Sequence, residues 1–287
     1  MPELPEVEAL REFLDEHLTG RVVERVHPLA VSVLKTYEPP LTALEGQPAG
    51  TTARHGKFLA LRIGELHLVT HLARAGWLRW QGLLPRAAPA PRQGPARAAP
   101  RTGGRRRLRP HRGGNAKKRL AVYVVRDPQE VPGIARLGPD PLADAFDRDA
   151  FAALLAGERR QIKGVLRDQG VIAGIGNAYS DEILHRAKVS PFKLAASFDE
   201  EQVTHLYGAV QDTLREAVAR SHGVAAGRLK AEKKSAMRVH GREGEPCPVC
   251  GDTVRSVSFA DSSLQYCPTC QTGGKPLADR RLSRLLK

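Results

Sequence analysis

Four cysteines near the end of the chain have the spacing of a metal site. They follow the pattern C-x2-C-x16-C-x2-C and are Cys247, Cys250, Cys267 and Cys270. Two such pairs place four thiolates around one tetrahedral zinc ion and leave no coordination position open for chemistry. We therefore expect one structural Zn²⁺ in a zinc ribbon. Since these cysteines do not make a disulfide framework, we expect a cytoplasmic protein.

The amino terminus carries a second group with chemical potential. An initiator methionine before a small residue is normally removed, which would leave Pro2 with a free secondary amine. An α-amino group titrates near ~8, so a usable fraction is neutral and nucleophilic at neutral pH. Such an amine forms an iminium with an aldehyde-like carbon, and Glu3 offers a carboxylate for proton transfer. The alternative is that Pro2 and Glu3 only begin a helix.

A glycine-rich turn is the third candidate site. Gly174 and Gly176 precede Asn177, a residue that caps helices well, and a helical pattern follows. Exposed N–H groups at such a turn bind phosphate, and Asn177 and Lys163 could add side-chain contacts. The alternative is an ordinary turn before a capped helix, with Lys163 in solvent.

The hydrophobic patterns indicate which elements position these groups. Residues 5–18 predict an amphipathic helix, and the N-terminal half then shows runs typical of strands. The second half shows helical spacing, and the cysteines flank a hairpin. The predicted strands are 21–26, 30–34, 58–63, 66–70, 120–125, 253–259 and 264–266, and the later helices are 150–155, 161–167, 178–187 and 200–220.

Composition and charge narrow the class of protein. Hydrophobic residues make up 41% and charged residues 26% of the chain, which is typical of a soluble globular protein. The apolar stretch 120–125 is far too short for a membrane span, and from the acidic, proline-containing start we expect no signal peptide. The formal net charge is +14, but residues 85–119 carry twelve cations and no acidic residue. The charge is therefore mostly a property of one segment.

Residues 85–116 differ in composition from the rest of the chain. Arg, Ala, Pro and Gly make up 27 of these 32 residues, and Leu108 is the one large aliphatic residue. One interpretation is a flexible basic linker that binds phosphates nonspecifically. The other is a stretch read out of frame, because these four amino acids have codons built on G and C.

Three stretches together resemble the formamidopyrimidine-DNA glycosylase/endonuclease VIII family. They are the opening Pro2–Glu8, the turn Gly174–Tyr179 and the terminal Cys267–Gln271. The resemblance runs from residue 2 to about 275, except for the segment 85–116. It implies an α+β multidomain fold. The expected parts are an N-terminal β-sandwich with an N-terminal helix, a helix–two-turns–helix domain and a zinc ribbon, over residues 1–130, 131–240 and 241–287.

The resemblance implies a base-excision repair enzyme. Such an enzyme binds damaged double-stranded DNA as a monomer, flips out an oxidised base, cleaves its N-glycosidic bond and nicks the abasic strand by β,δ-elimination. Pro2 matches the family nucleophile, Glu3 the catalytic acid and Lys57 the lysine that contacts DNA near the lesion. Lys163 and Asn177 match the residues with which the helical domain of the family contacts DNA phosphates.

Three positions depart from the family pattern. Arg74 stands where the family has a methionine that fills the void left by the flipped base. In the second wedge motif, which contains Lys118 and Arg119, Leu120 stands where the family has an aromatic residue. In the ribbon hairpin, Ser262 stands where the family has an arginine. We expect Arg74, Lys118 and Arg119 to contact DNA, and these wedge positions bear on the choice between oxidised purines and pyrimidines.

The family has sandwich strands where residues 85–116 lie. A tract rich in proline and arginine is a poor source of such strands, which favours the out-of-frame interpretation and predicts that two or three strands are missing. Two other functions remain open: a catalytically silent DNA-binding relative, and a zinc-ribbon protein that binds other proteins. Retention of Pro2, Glu3 and Lys57 together favours the enzyme.

Overall fold

The computed structural model describes residues 1–28, 31–73, 76–81, 98–102, 106–112, 120–259 and 262–278. The helices are α1 (Leu4–Leu18), α2 (Arg148–Ala156), α3 (Ile162–Arg167), α4 (Asn177–Arg186), α5 (Glu200–Ser221), α6 (Leu229–Ala236) and α7 (Pro268–Thr272). The strands are β1 (Val23–Pro28), β2 (Ala49–His55), β3 (Phe58–Ile63), β4 (Leu66–His71), β5 (Gly76–Gln81), β6 (Ala98–Thr102), β7 (Arg106–Arg112), β8 (Ala121–Val125), β9 (Arg255–Ser258) and β10 (Ser263–Tyr266).

Helix α1 forms because its apolar residues recur at helical spacing. Its buried stripe includes Leu10, Leu14 and Leu18, and this one-sided pattern predicts a helix that packs on a sheet. Its polar side is tied to β2, where the Arg54 guanidinium donates to the Glu8 carboxylate at 2.5 Å. The helix expected over residues 5–18 is confirmed.

Two four-stranded antiparallel sheets form the first compact unit, which comprises residues 1–137 and 218–231. Their strand orders are β2-β3-β4-β8 and β1-β6-β7-β5. Alternate residues of β3, Leu59, Leu61 and Ile63, enter a core that also contains residues of β1 and β5. Ala60, on the other face, joins a second cluster with residues of the segment after β8. This period-two burial confirms the predicted sandwich with its N-terminal helix.

The sandwich differs from the expected strands in three respects. Residues 31–33 form a short 3₁₀ helix instead of part of a strand, and β2 was missed because it is an edge strand with few apolar residues. The arginine- and proline-rich segment 85–116 also supplies two strands, β6 and β7, although these strands contain Pro100 and Pro110. A proline is tolerated where its nitrogen is not needed for a ladder hydrogen bond, and β6 and β7 pair with each other over only two residue pairs.

Helices dominate the second compact unit, residues 138–217 and 232–287. Tyr179, Ile183 and Leu184 of α4 pack in one core with the apolar stripe of α5. Strands β9 and β10 form the hairpin of the cysteine module, in register from Ser263–Ser258 to Tyr266–Arg255. The predicted helices α2 to α5 are confirmed, whereas α6 and α7 were not expected.

These units divide the chain differently from the three predicted ranges. Residues 218–231 belong to the first unit because Ala226 and Leu229 are buried in the sandwich core. The cysteine module belongs to the second unit, together with α4. Within the described residues, no helix combines the length and the apolar character needed to cross a membrane.

A close backbone approach at Gly138 leads to a stability prediction. A Cβ there would lie 2.4 Å from the carbonyl oxygen of Val171, and the Gly138 N–H donates to Gln169 at 2.8 Å. We expect Gly138→Ala to lower the free energy of unfolding by about 1–3 kcal/mol, because neither backbone can yield freely.

The matched control is Gly164→Ala in α3. Among the described residues, no atom lies within 4 Å of a Cβ added at Gly164, so alanine should stabilise the helix by up to about 1 kcal/mol. Calorimetric unfolding of both full-length variants checks the pair. A melting temperature that moves in the same direction in both variants would contradict the prediction.

Candidate functional site

The amino terminus lies at the start of α1. Pro2 is buried, Glu3 is 2% exposed and Met1 is 42% exposed. Glu3 is the N-cap residue, and its N–H donates to the Glu6 carboxylate at 2.8 Å in a capping box. The arrangement fixes Pro2 and its neighbouring carboxylate at the positive end of the helix dipole.

Lys57 lies in the two-residue turn that joins β2 to β3. Gly56 precedes it with φ 55°, as tight hairpin turns require, and Lys57 is 7% exposed. His71 lies opposite Phe58 in the sheet, and the two rings are 4.6 Å apart. Burial and the positive charge of Lys57 lower the pKa of His71 to about 4. The site therefore pairs a lysine cation with a neutral histidine, which the sequence analysis had not singled out.

The glycine-rich turn leads directly into α4. Gly176 is the N-cap residue and Asn177 is the first helical residue, so the expected capping role of Asn177 is wrong. Its side-chain amide instead donates to the Ser263 carbonyl oxygen of β10 at 2.7 Å. Asn177 thus connects the glycine-rich turn to the hairpin of the cysteine module.

Lys163 has a different environment from the one expected. Its ammonium lies 2.6 Å from the Asp181 carboxylate, 2.8 Å from the Ser180 hydroxyl and 3.2 Å from the Asn177 carbonyl oxygen. The side chain is 6% exposed. An ammonium has three protons, and three protein acceptors receive them here. The expectation that Lys163 faces a phosphate is therefore corrected: it holds the first turns of α4.

Two buried carboxylates of α4 were not expected from the sequence. The second oxygen of Asp181 lies 2.7 Å from Nδ1 of His240. Glu182 accepts hydrogen bonds from the backbone N–H groups of residues 238, 239 and 240. Burial raises the pKa of Glu182, and these hydrogen bonds oppose the rise. Both carboxylates anchor the segment that precedes the cysteine module.

The four cysteines form one cluster. All four sulfur atoms lie within 4.8 Å of one another, with 3.9 Å between Cys247 and Cys270 and 3.3 Å between Cys250 and Cys267. These separations are far longer than a disulfide bond and near the roughly 3.8 Å between thiolates on a tetrahedral zinc ion.

The buried cysteines also need a cation before all four of them can carry negative charge. Burial raises the pKa of Cys270 to about 11 and also raises the pKa of Cys267. Four thiolates this close repel one another unless a divalent ion neutralises them. The residues present therefore fit a metal ion.

The remaining predicted contacts have different outcomes. Arg74, Lys118 and Arg119 lie outside the described residues. Leu120, which stands where the family has an aromatic wedge residue, is 4% exposed and packs in the sandwich core. Ser262 lies at the hairpin end, where its carbonyl oxygen accepts the Phe259 N–H at 2.8 Å.

Comparison with protein families gives three matches along the chain. The formamidopyrimidine-DNA glycosylase N-terminal domain matches residues 1–114 and the formamidopyrimidine-DNA glycosylase H2TH domain matches residues 137–227. A zinc finger found in FPG and IleRS matches residues 244–273. The three matches occur in the order of the resemblance described above.

Individual relatives extend over nearly the whole chain. The formamidopyrimidine-DNA glycosylase of Symbiobacterium thermophilum is 35% identical over 290 residues, covering 98% of this chain and 93% of that protein. A formamidopyrimidine-DNA glycosylase-like protein of Mycobacterium tuberculosis is 63% identical over 151 residues, which are 53% of this chain and 94% of that protein.

Solved structures agree with the sequence comparison. The MutM (Fpg) protein of Thermus thermophilus superposes with a TM-score of 0.78 at 35% identity, covering 96% of this chain and all of that one. MutM in complex with DNA that contains carbocyclic 8-oxo-G gives a TM-score of 0.80 at 26% identity, covering 94% of this chain and all of that one. The chain therefore belongs to the formamidopyrimidine-DNA glycosylase family of DNA-repair N-glycosylases.

Proposed function

We propose that this protein is a bifunctional DNA glycosylase and AP lyase that uses the amine of Pro2. It would remove an oxidised base from damaged double-stranded DNA and then nick the abasic strand. The observation that carries the proposal is the burial of Pro2 beside the N-cap carboxylate Glu3 at the start of α1. A protein that only binds DNA has no need of a proline amine held in this way.

The proposed reaction begins after removal of Met1. The Pro2 nitrogen forms a bond to C1′ of the deoxyribose as the glycosidic bond breaks, and the damaged base leaves with the electron pair and takes a proton from water. The Glu3 carboxylate takes the proton from the Pro2 nitrogen and passes it to the ring oxygen, so the sugar opens and an iminium forms between nitrogen and C1′. The iminium acidifies C2′; loss of that proton expels the 3′ phosphate. A second elimination releases the 5′ phosphate, and water then hydrolyses the iminium.

The environment of the amine supports this role. Partial positive charge at the start of α1 disfavours a protonated amine there. The capping box restrains the Glu3 backbone, so the carboxylate and the amine keep a constant relation. Lys57, in its tight turn, supplies a cation for the phosphate next to the flipped nucleotide.

Damaged DNA is the proposed partner. We propose that the second unit binds its phosphates. The glycine turn offers backbone N–H groups, and Asn177 ties that turn to the hairpin. One Zn²⁺ held by the four cysteines would fix the hairpin and take no part in the chemistry. We further propose that the protein acts as a monomer in the cytoplasm, where thiols stay reduced.

The first prediction of this mechanism concerns the free amine. Protein that retains Met1, or an uncleaved N-terminal extension, should lose borohydride trapping to an abasic duplex and should still bind that duplex. A C-terminally extended protein with mature Pro2 is the control, and mass spectrometry establishes each amino terminus. Undiminished strand nicking by protein that retains Met1 would remove Pro2 from the mechanism.

The second prediction separates the two roles of Glu3. Glu3→Gln should slow base excision about 10²- to 10⁴-fold, because it removes a general acid, and should affect incision at a preformed abasic site less. Glu6→Gln perturbs the same capping box without removing that acid, so it should affect excision far less. Equal losses of excision in both variants would assign the effect to the cap. The assay uses 8-oxoguanine, thymine glycol and 5-hydroxyuracil duplexes, which also ranks the lesions.

The third prediction concerns the hairpin, where Ser262 replaces the family arginine. Ser262→Arg should restore a charge-assisted phosphate contact and tighten DNA binding about ten- to hundred-fold. The salt dependence of binding should steepen by about one unit. Thr253→Arg adds the same charge at an exposed position outside the hairpin end and is the control. Fluorescence anisotropy with an abasic-analogue duplex measures both, and equal gains would contradict a specific contact at residue 262.

A further inference from the structure

One face of α4 carries three polar side chains at a spacing of four residues. They are Asn177, Asp181 and His185, and such residues lie above one another along a helix. Each contacts a different part of the cysteine module or of the segment before it. Asn177 donates to Ser263, and Asp181 is paired with His240. The proposed mechanism uses only the first of these contacts, so the other two need an explanation.

His185 makes the third contact, directly to a cysteine of the cluster. Its Nε2 lies 3.2 Å from Sγ of Cys247. His185 is 2% exposed and Cys247 is 3% exposed, so no solvent competes for this hydrogen bond. A buried imidazole side by side with a metal-binding thiolate has few roles other than donating to it.

The chemistry of the pair determines which nitrogen carries the proton. A thiolate only accepts hydrogen bonds, so the neutral imidazole must carry its proton on Nε2 to interact favourably with Cys247. Within the described residues, Nδ1 has no hydrogen-bond partner. The other tautomer would leave a buried N–H donor without an acceptor and would direct a lone pair at the sulfur, and both costs disfavour it.

We propose that His185 is a positioning residue for the zinc ion: its Nε2–H donates to the Cys247 thiolate and thereby connects the metal site to the helix that begins at the DNA-binding turn. The inference rests on the structural Zn²⁺ proposed above. It assigns no ligand role to His185, since the four sulfur atoms already complete a tetrahedral set. The hydrogen bond withdraws negative charge from the Cys247 sulfur and holds that sulfur in one position relative to α4.

Zinc affinity tests this role independently of catalysis. Purified full-length protein is titrated with a chromophoric zinc chelator, and its zinc dissociation constant is compared among variants. His185→Phe keeps an aromatic ring and removes the donor, and it should weaken zinc binding about 10- to 100-fold. His185→Gln keeps an N–H donor and should recover most of that affinity. Ile183→Ala, in the helical core of the same helix, controls for general destabilisation and should leave zinc affinity within about three-fold of the parent, because it removes no contact to the metal site.

A spectroscopic measurement gives a second readout. Long-range ¹H–¹⁵N correlation of the zinc-loaded protein should show His185 neutral and protonated at Nε2, and removal of zinc should change that pattern. Unchanged zinc affinity in His185→Phe, equal losses in the Phe and Gln variants, or an Nδ1-protonated ring would each overturn the assignment. A parent protein that holds no zinc would overturn the proposed metal itself, together with this role.

Discussion

The second unit depends on the burial of charge along α4. Asp181 and Glu182 are 1% and 5% exposed, and an unpaired buried carboxylate costs several kcal/mol. Lys163 and His240 compensate the first, and three consecutive backbone N–H groups compensate the second. Removing one partner of a buried pair typically costs about 3–5 kcal/mol, so these contacts leave the surrounding chain little freedom. The turn before α4 and the segment before the cysteines are both held by this helix.

In the first unit, the main constraint is that the amino terminus of the chain is held in a fixed position. Chain ends are usually the least ordered part of a protein. Here α1 buries a leucine stripe in the sandwich core, and Glu8 and Asp15 bond to Arg54 and the Thr52 N–H of β2. Terminal residues therefore acquire the rigidity of a sheet. An enzyme that uses its own amino terminus needs this rigidity, because misplacement of about 1 Å slows a reaction roughly a hundredfold.

Periodic or motif-bearing parts of the sequence were the predictable ones. The α1 stripe, the strands β3, β4 and β8 and the cysteine spacing all follow from local pattern, and the structure has them as expected. The edge strand β2 and the helix α6 have weak patterns and depend on tertiary contacts. Lys163 was misjudged because nothing local reveals that Asp181, eighteen residues later, is its partner.

The burial of Pro2 bears on the order of events during synthesis. Strand β4 pairs with β8 and the core closes with Leu229, so the first unit is complete only when roughly four-fifths of the chain has left the ribosome. Until then the amino terminus has no finished surface to pack against. If Met1 is removed as proposed, the aminopeptidase meets a nascent, extended end and not the buried proline of the finished protein. If Pro2 is the nucleophile as proposed, its maturation is thus a matter of timing, because Met1 is 42% exposed in the folded chain but the Pro2 that follows it is buried.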